Sequence, residues 1–246
     1  MNKDWIKVEN FISKDTAKLL YQYIKFGNER LSFLQSKGVI VASNVYGEFN
    51  DPQSEGDFKS PVFAMYGDLI FDTLMVNNLE KIENIIDTKL TPQYSFYRLY
   101  TEGTELKRHT DRESCEISST LCLGYDSDYS WPIWFKDRDG NEISIETEPG
   151  DMVIYKGCDL EHWREPFWGK NHAQLFMHYN EKIEGERSNI FDNRPILGFP
   201  ASFKDPSVPL VASKVVNVES DEGKDAKDLE TEIKEYTPKT SKKIIY

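Results

Sequence analysis

Residues 94–111 read Tyr-Ser-Phe-Tyr-Arg-Leu-Tyr-Thr-Glu-Gly-Thr-Glu-Leu-Lys-Arg-His-Thr-Asp and predict two β-strands around a turn. The aromatic run from Tyr94 to Tyr100 favours a strand, residues 101–104 favour a turn, and residues 106–111 favour a second strand. Side chains two residues apart project from the same face of a strand. We therefore expect His109 and Asp111 to point to the same place.

Short predicted strands continue along the chain, separated by turns rich in Gly, Pro, Asn and Asp. They fall at residues 117–123, 131–135, 143–146, 152–155 and 173–179. This pattern is typical of a sandwich or jelly roll. Before residue 92, apolar residues recur at helical spacing and predict three helices. The first follows a Ser13 N-cap, the second spans about 61–77, and the third spans 79–86. A short strand is predicted at 39–41. The fold class predicted is α+β with a mainly β core.

The composition is that of one globular domain with a polar tail. Of 246 residues, 39% are hydrophobic, which is enough for a proper core. We predict a domain at 1–182, with a helical part at 1–91 and a jelly-roll core at 92–182. An irregular Pro-rich extension follows at 183–210. The polar segment 211–246 is expected to be disordered, because it has few aromatic residues and many charges.

The net charge of −12 argues against some classes of partner. Residues 211–246 contain eight acids and seven lysines, so the acidic excess belongs to the domain. An acidic domain gains nothing from counterion release, which disfavours nucleic acid and anionic membranes. No window approaches the ~20 apolar residues that a membrane span needs, and the N-terminus lacks an apolar signal core, so we expect a cytoplasmic protein. Three cysteines without a Cys-x-x-Cys pair indicate reduced thiols rather than disulfides or a thiolate metal site.

His109, Asp111 and His162 have the residue types of an open metal site. Two imidazoles and one carboxylate can cover one face of an octahedral metal and leave the other positions free, as a non-haem Fe(II) oxygenase requires. A closed structural site would not leave that room. The His-x-Asp spacing alone is a weak signal, since it also arises by chance.

The order of the surrounding blocks resembles the Fe(II)- and 2-oxoglutarate-dependent oxygenases, specifically the prolyl 4-hydroxylase-like branch. The matching blocks are residues 94–100, 103–111, 115–118 and 149–155, then His162, Pro166 and residues 174–179. The resemblance implies a double-stranded β-helix with N-terminal helices packed on it, and His109, Asp111 and His162 as iron ligands. It also implies 2-oxoglutarate as cosubstrate, O2, and ascorbate as an optional addition. The expected substrate is peptidyl and prolyl-like, or a small amino-acid-like molecule, and the expected state is a monomer or homodimer.

One residue of the family pattern is missing. The Arg or Lys that pairs with the far carboxylate of 2-oxoglutarate falls, by position, on His172. Lys170 is an equal candidate for this role, and Arg164 follows as the third. Tyr100 resembles the family tyrosine that donates to 2-oxoglutarate, although core packing is an equal alternative. The gap leaves open a non-catalytic jelly-roll scaffold, or a cupin-like metal enzyme that does not use 2-oxoglutarate.

Overall fold

The structure is a computed structural model that describes residues 1, 3–37, 48–51, 62–183, 190–199 and 204. Residues Met1–Asp205 form one compact unit. Within the described residues the strands are β1 (Trp5–Val8), β2 (Glu48–Asp51), β3 (Val62–Tyr66), β4 (Leu90–Thr101), β5 (Leu106–His109), β6 (Ile117–Asp126), β7 (Ile133–Lys136), β8 (Glu142–Ile145), β9 (Met152–Lys156), β10 (His162–Arg164) and β11 (Asn171–Glu181). The α-helices are α1 (Lys14–Ser36), α2 (Leu69–Asn77) and α3 (Leu79–Ile86).

The strands form two antiparallel sheets. The large sheet has the order β1-β9-β6-β11-β4-β3-β2, and the small sheet has the order β5-β10-β7-β8. Ile133, Phe135 and Val153 are among the buried residues that the two sheets contribute to a shared core cluster. The predicted α+β jelly roll is therefore confirmed.

The helices cover the large sheet on the side away from the small sheet. Helix α1 begins where predicted, because the Ser13 hydroxyl caps the amide of Thr16 at 3.1 Å. Its buried face carries Ala17, Leu20, Ile24 and Leu31, which join the same core cluster as β6, β9 and β11. Helix α3 also matches its predicted range.

The prediction of a helix over residues 61–77 is wrong in its first part. Val62–Tyr66 is strand β3, which pairs with both β2 and β4, and the helix begins only at Leu69. A short apolar run fits a strand as well as a helix, and here a full set of strand partners is available. Gly67 has a φ of +71° and Asp68 caps the helix, so the chain changes structure at these two residues. Strand β1 was not predicted, and the strand predicted at 39–41 lies outside the described residues.

Part of the predicted extension lies against the domain. The Arg194 guanidinium forms a fully buried ion pair with Asp72 at 2.9 Å and also donates to the carbonyl of Gln93. Residues 190–199 therefore belong to the packed unit rather than to a loose linker. The segment 211–246 lies outside the described residues, so its disorder stays a prediction. Among the helices that are described, none has the length and apolar character needed to cross a membrane.

Candidate active site

Two neighbouring strands of the small sheet bring the predicted triad together. His109 ends β5 and lies opposite His162, the first residue of β10, with ring centres 4.3 Å apart. Asp111 Oδ1 lies 3.5 Å from His109 Nε2 and 3.6 Å from His162 Nε2. The three side chains can thus offer one ligand atom each to a single metal ion. Asp111 itself lies just beyond the strand, where its amide donates to the carbonyl of Gly157 at 2.8 Å.

Backbone carbonyls fix the tautomer of both histidines. His109 Nδ1 lies 2.6 Å from the carbonyl of Lys107, and His162 Nδ1 lies 2.9 Å from the carbonyl of Leu160. A carbonyl oxygen can only accept, so each Nδ1 carries a proton and each neutral ring keeps its Nε2 lone pair for a metal. Burial also lowers the pKa of His162, which favours the neutral, metal-binding form.

Asp111 is held from behind by a side-chain relay that the sequence reading missed. The Ser118 hydroxyl donates to Asp111 Oδ2 at 2.6 Å and lies 2.9 Å from His178 Nδ1. Since the hydroxyl has one proton, His178 Nδ1 must donate to Ser118. Burial alone would raise the pKa of Asp111, but its contacts with His109 and the hydrogen bond from Ser118 hold that pKa well below its usual range. A side chain at Gly157 would collide with Asp111 Oδ2 at 2.5 Å.

An open cavity of about 410 Å³ lies beside the triad. Its described lining is Tyr66, Tyr94, Phe96, Arg98, Leu106, His109, Thr110, Asp111, Arg112, Cys115, Tyr155, His162, Phe176, His178 and Lys204. All three predicted metal ligands therefore face a space that small molecules can enter. An N,N,O donor set with one side open suits Fe(II) and fits the requirement for exchangeable ligand positions.

Two of the four residues predicted to bind 2-oxoglutarate, His172 and Lys170, lie where neither offers a buried positive charge to a carboxylate. His172 is fully buried, where it stacks on Tyr125 at 5.3 Å, and burial drives its pKa well below the usual value. It is therefore neutral at pH 7. Lys170 has 79% of its side chain exposed and lies 3.5 Å from Asp126. Neither residue is part of the described cavity lining, which also lacks Tyr100 and Arg164.

The other two predicted residues lie inside the barrel. Tyr100 is fully buried, with its ring edge-on to Trp131 at 4.9 Å, and its hydroxyl lies 3.4 Å from an Arg98 nitrogen. Arg164 follows His162 by two positions on β10 and is 1% exposed. Its guanidinium donates to the carbonyl of Trp131.

Arg164 is a buried cation without a counter-charge in the described part of the chain. No described carboxylate lies within ion-pair distance of it, and its Nε has no hydrogen-bond partner there. The Gln174 amide, oriented so that its oxygen faces inward, accepts from Arg164 at 3.3 Å and from His172 at 2.6 Å. A buried guanidinium such as that of Arg164 is costly in free energy unless an anion pairs with it.

Comparison with solved structures identifies the fold. The chain superposes on a prolyl-4-hydroxylase from Pseudomonas putida with a TM-score of 0.55 and 14% identity, covering 74% of this chain and 95% of that one. It superposes on an oxidoreductase of the 2OG-Fe(II) oxygenase family from Burkholderia pseudomallei with a TM-score of 0.52 and 11% identity, covering 72% and 85%. This chain has the 2OG-Fe(II) oxygenase fold. AviO1 from Streptomyces viridochromogenes is similar too, with a TM-score of 0.52, 15% identity, and coverage of 75% and 92%.

The 2OG-Fe(II) oxygenase fold agrees with the resemblance read from the sequence blocks. No family model matches the chain, and no curated protein matches it. The fold is thus recognised through the arrangement of its strands.

Proposed function

We propose that this protein is an Fe(II)- and 2-oxoglutarate-dependent dioxygenase that hydroxylates a peptidyl, prolyl-like substrate or a small amino-acid-like molecule. The observation that supports this most is the convergence of His109 Nε2, His162 Nε2 and Asp111 Oδ1 beside an open cavity. A structural metal site would be closed by a fourth protein ligand. These three ligands leave positions for exchangeable groups, as oxygenase chemistry requires.

The residues of the site fit both Fe(II) and 2-oxoglutarate. His109, Asp111 and His162 would hold Fe(II), and the buried Arg164 supplies a counter-charge for a dicarboxylate. When bound, Fe(II) and 2-oxoglutarate would together with O2 supply the oxidising chemistry that hydroxylates a C–H bond. The chain's own part is to fix the three ligand atoms through the carbonyls of Lys107 and Leu160 and the hydroxyl of Ser118. Held in this way, the ligands need little rearrangement when metal binds.

Arg164 is the best candidate for the far carboxylate of 2-oxoglutarate. It is a permanent cation, it lies on the strand of His162, and burial makes an incoming carboxylate favourable. The buried neutral His172 offers a weaker partner. Lys170 has Asp126 as a surface partner already. Sequence position ranked Arg164 behind His172 and Lys170, but its burial and charge make it the first candidate for this role.

The proposal is tested by 2-oxoglutarate turnover in the presence of Fe(II) and ascorbate. Succinate should form with the wild-type protein and fall to background with Asp111→Ala. Asp128→Ala removes the same charge at an exposed position and serves as the matched control. Prolyl peptides and free amino acids, added in separate reactions, should differ in how much they stimulate turnover.

The alternatives give different results. A jelly-roll scaffold would bind no stoichiometric iron. A cupin-like metal enzyme would bind iron but gain no thermal stability from 2-oxoglutarate. Succinate formation by Asp111→Ala at the wild-type rate would refute the proposed ligand set.

A further inference from the structure

The described lining of the cavity has a charge opposite to that of the chain. The chain carries a net charge of −12. Within the described residues, however, the cavity is lined by three cationic side chains, Arg98, Arg112 and Lys204, and by one carboxylate, Asp111. Asp111 is a proposed metal ligand, so its charge faces the metal. The rest of this described lining presents positive charge to an entering molecule.

Two of these cations share a single carboxylate where the cavity opens to solvent. Arg112 donates to Asp192 Oδ1 at 2.8 Å and to Oδ2 at 2.5 Å, and Lys204 Nζ contacts Oδ2 as well. Among the described residues one carboxylate faces two cations, so this described group has an excess of positive charge. The side chains of Arg112 and Lys204 are 49% and 30% exposed, whereas that of Asp192 is 4% exposed. A ligand can therefore reach the cations but hardly the acid.

Aromatic rings hold both cations and form an apolar wall. Tyr66 and Tyr94 stack with ring centres 4.5 Å apart. Lys204 Nζ lies 4.9 Å from the Tyr66 ring centre, and the Arg112 guanidinium lies 4.8 Å from that of Tyr94. Both distances are within the range of cation–π attraction. The wall is extended by Phe96, Tyr155 and Phe176.

The backbone around Asp192 is strained. Phe191, Asp192 and Asn193 have φ values of 58°, 55° and 64°, in the left-handed region that L-residues rarely occupy. The Asp192 amide is held by Gln93 Oε1 at 3.2 Å, and its carboxylate by Arg112. Strain of this kind persists only where several contacts impose it, and it concentrates at ligand-binding positions.

We propose that the primary substrate carries an anionic group that Arg112 and Lys204 bind, joined to an apolar body that packs on the rings of Tyr66 and Tyr94. This inference rests on the proposed function, because it concerns the substrate of the same site. Arg112 and the proposed metal ligand Asp111 line the same cavity, so the anionic group would be held close to the proposed metal. A carboxylate and a phosphate share the chemistry that these cations recognise.

Direct binding of three probes tests the inference. The probes are 3-phenylpropionate, 2-phenylethyl phosphate and the neutral 3-phenylpropanamide. Each is titrated calorimetrically into the full-length protein with Mn(II) and 2-oxoglutarate, without O2, and into the protein without either addition. At least one anionic probe should bind at least tenfold more tightly than the amide, and the tighter of the two identifies the anionic group.

Matched variants locate the binding site. Lys204→Met should weaken binding of the preferred anion at least fivefold and leave amide binding unchanged, and Lys204→Arg should restore it. Lys136→Met removes an exposed lysine outside the described cavity lining and should change neither affinity. Equal affinity for the amide and the anions, or an unchanged anion affinity in Lys204→Met, would overturn the inference.

The outcome is separable from that of the proposed function. Succinate formation from 2-oxoglutarate is measured on the same preparation. Turnover without any preference for anions overturns the substrate class only, whereas the absence of turnover overturns the proposed function.

Discussion

Replacement of Arg164 by Met should separate cosubstrate binding from the stability of the fold. The guanidinium is 1% exposed and has no described carboxylate partner, so the protein without cosubstrate bears the cost of burying the charge. Methionine fills similar space without that cost. We expect the unfolding free energy of the protein without cosubstrate to fall by no more than about 1 kcal/mol, since replacing buried charge by apolar volume is often neutral or stabilising.

The effect on 2-oxoglutarate should be large. At a concentration 100 times Kd, a ligand stabilises the folded state by about 2.7 kcal/mol. For a unit of this size that corresponds to a rise in Tm of roughly 5–10 °C. Loss of a charge-assisted pair worth about 2–3 kcal/mol weakens binding about 100-fold. The stabilisation then drops to about 0.4 kcal/mol, which is roughly 1 °C.

Thermal unfolding with Mn(II), with and without 2-oxoglutarate and in the absence of O2, measures both quantities. Lys170→Met is the control, because that exposed lysine was an equal candidate from sequence position. It should keep the full thermal shift. A full shift in Arg164→Met, or a lost shift in Lys170→Met, would refute the assignment of the anchor.

Three further predictions concern the support of the site. Ser118→Ala removes the donor to Asp111 Oδ2 and should weaken Mn(II) binding by about 10–100-fold; a fluorescence competition titration checks this, and an unchanged affinity in the alanine variant would contradict the relay. Burial lowers the pKa of His178 to about 4, below the value of about 6.5 in the unfolded chain. The unfolded state therefore takes up the proton first, and stability should decline as pH falls from about 6.5 to 4, by up to about 3 kcal/mol. Urea unfolding of the metal-free protein at pH 7 and pH 5 should show a smaller decline in His178→Asn than in wild type. Asp72→Ala leaves Arg194 buried without its partner and should cost about 3–5 kcal/mol in denaturant unfolding, whereas a loss below about 1 kcal/mol would show that carbonyls alone satisfy the guanidinium.

His109 and Asp111 could be predicted as a pair because the information for these two residues is local. The residue types required by an open Fe(II) site are few, and the spacing of His109 and Asp111 places two of them on one short segment. His162 was found through the order of blocks, since its distance of 51 positions from Asp111 carries no geometric information by itself. The pairing of β5 with β10 supplies what spacing could not, because it sets His109 directly opposite His162.

The sequence ranked Arg164, the anchor we propose, behind His172 and Lys170 because burial and counter-charge are tertiary properties. His172 occupies the expected strand position, yet aromatic rings enclose it and remove its charge. Lys170 precedes the strand and reaches solvent. The Ser118–His178 contact depends on the register between β6 and β11, in which these two residues are directly opposite. Ser118 and His178 are 60 positions apart in the chain, so no local sequence pattern predicts that they pair.

The two proposed anion sites differ in depth, and this difference implies an order of binding. Arg164 is enclosed inside the barrel, whereas Arg112 and Lys204 are partly exposed where the cavity opens. We expect 2-oxoglutarate to enter through this cavity, and it would then pass these two cations and the triad before it reaches Arg164. A substrate already bound to the outer cations would obstruct that path. We therefore expect 2-oxoglutarate to bind before the primary substrate, and an anionic probe added first should slow the association of 2-oxoglutarate in stopped-flow measurements. Association at the same rate with and without the saturating probe would show that the two anions do not share one entrance.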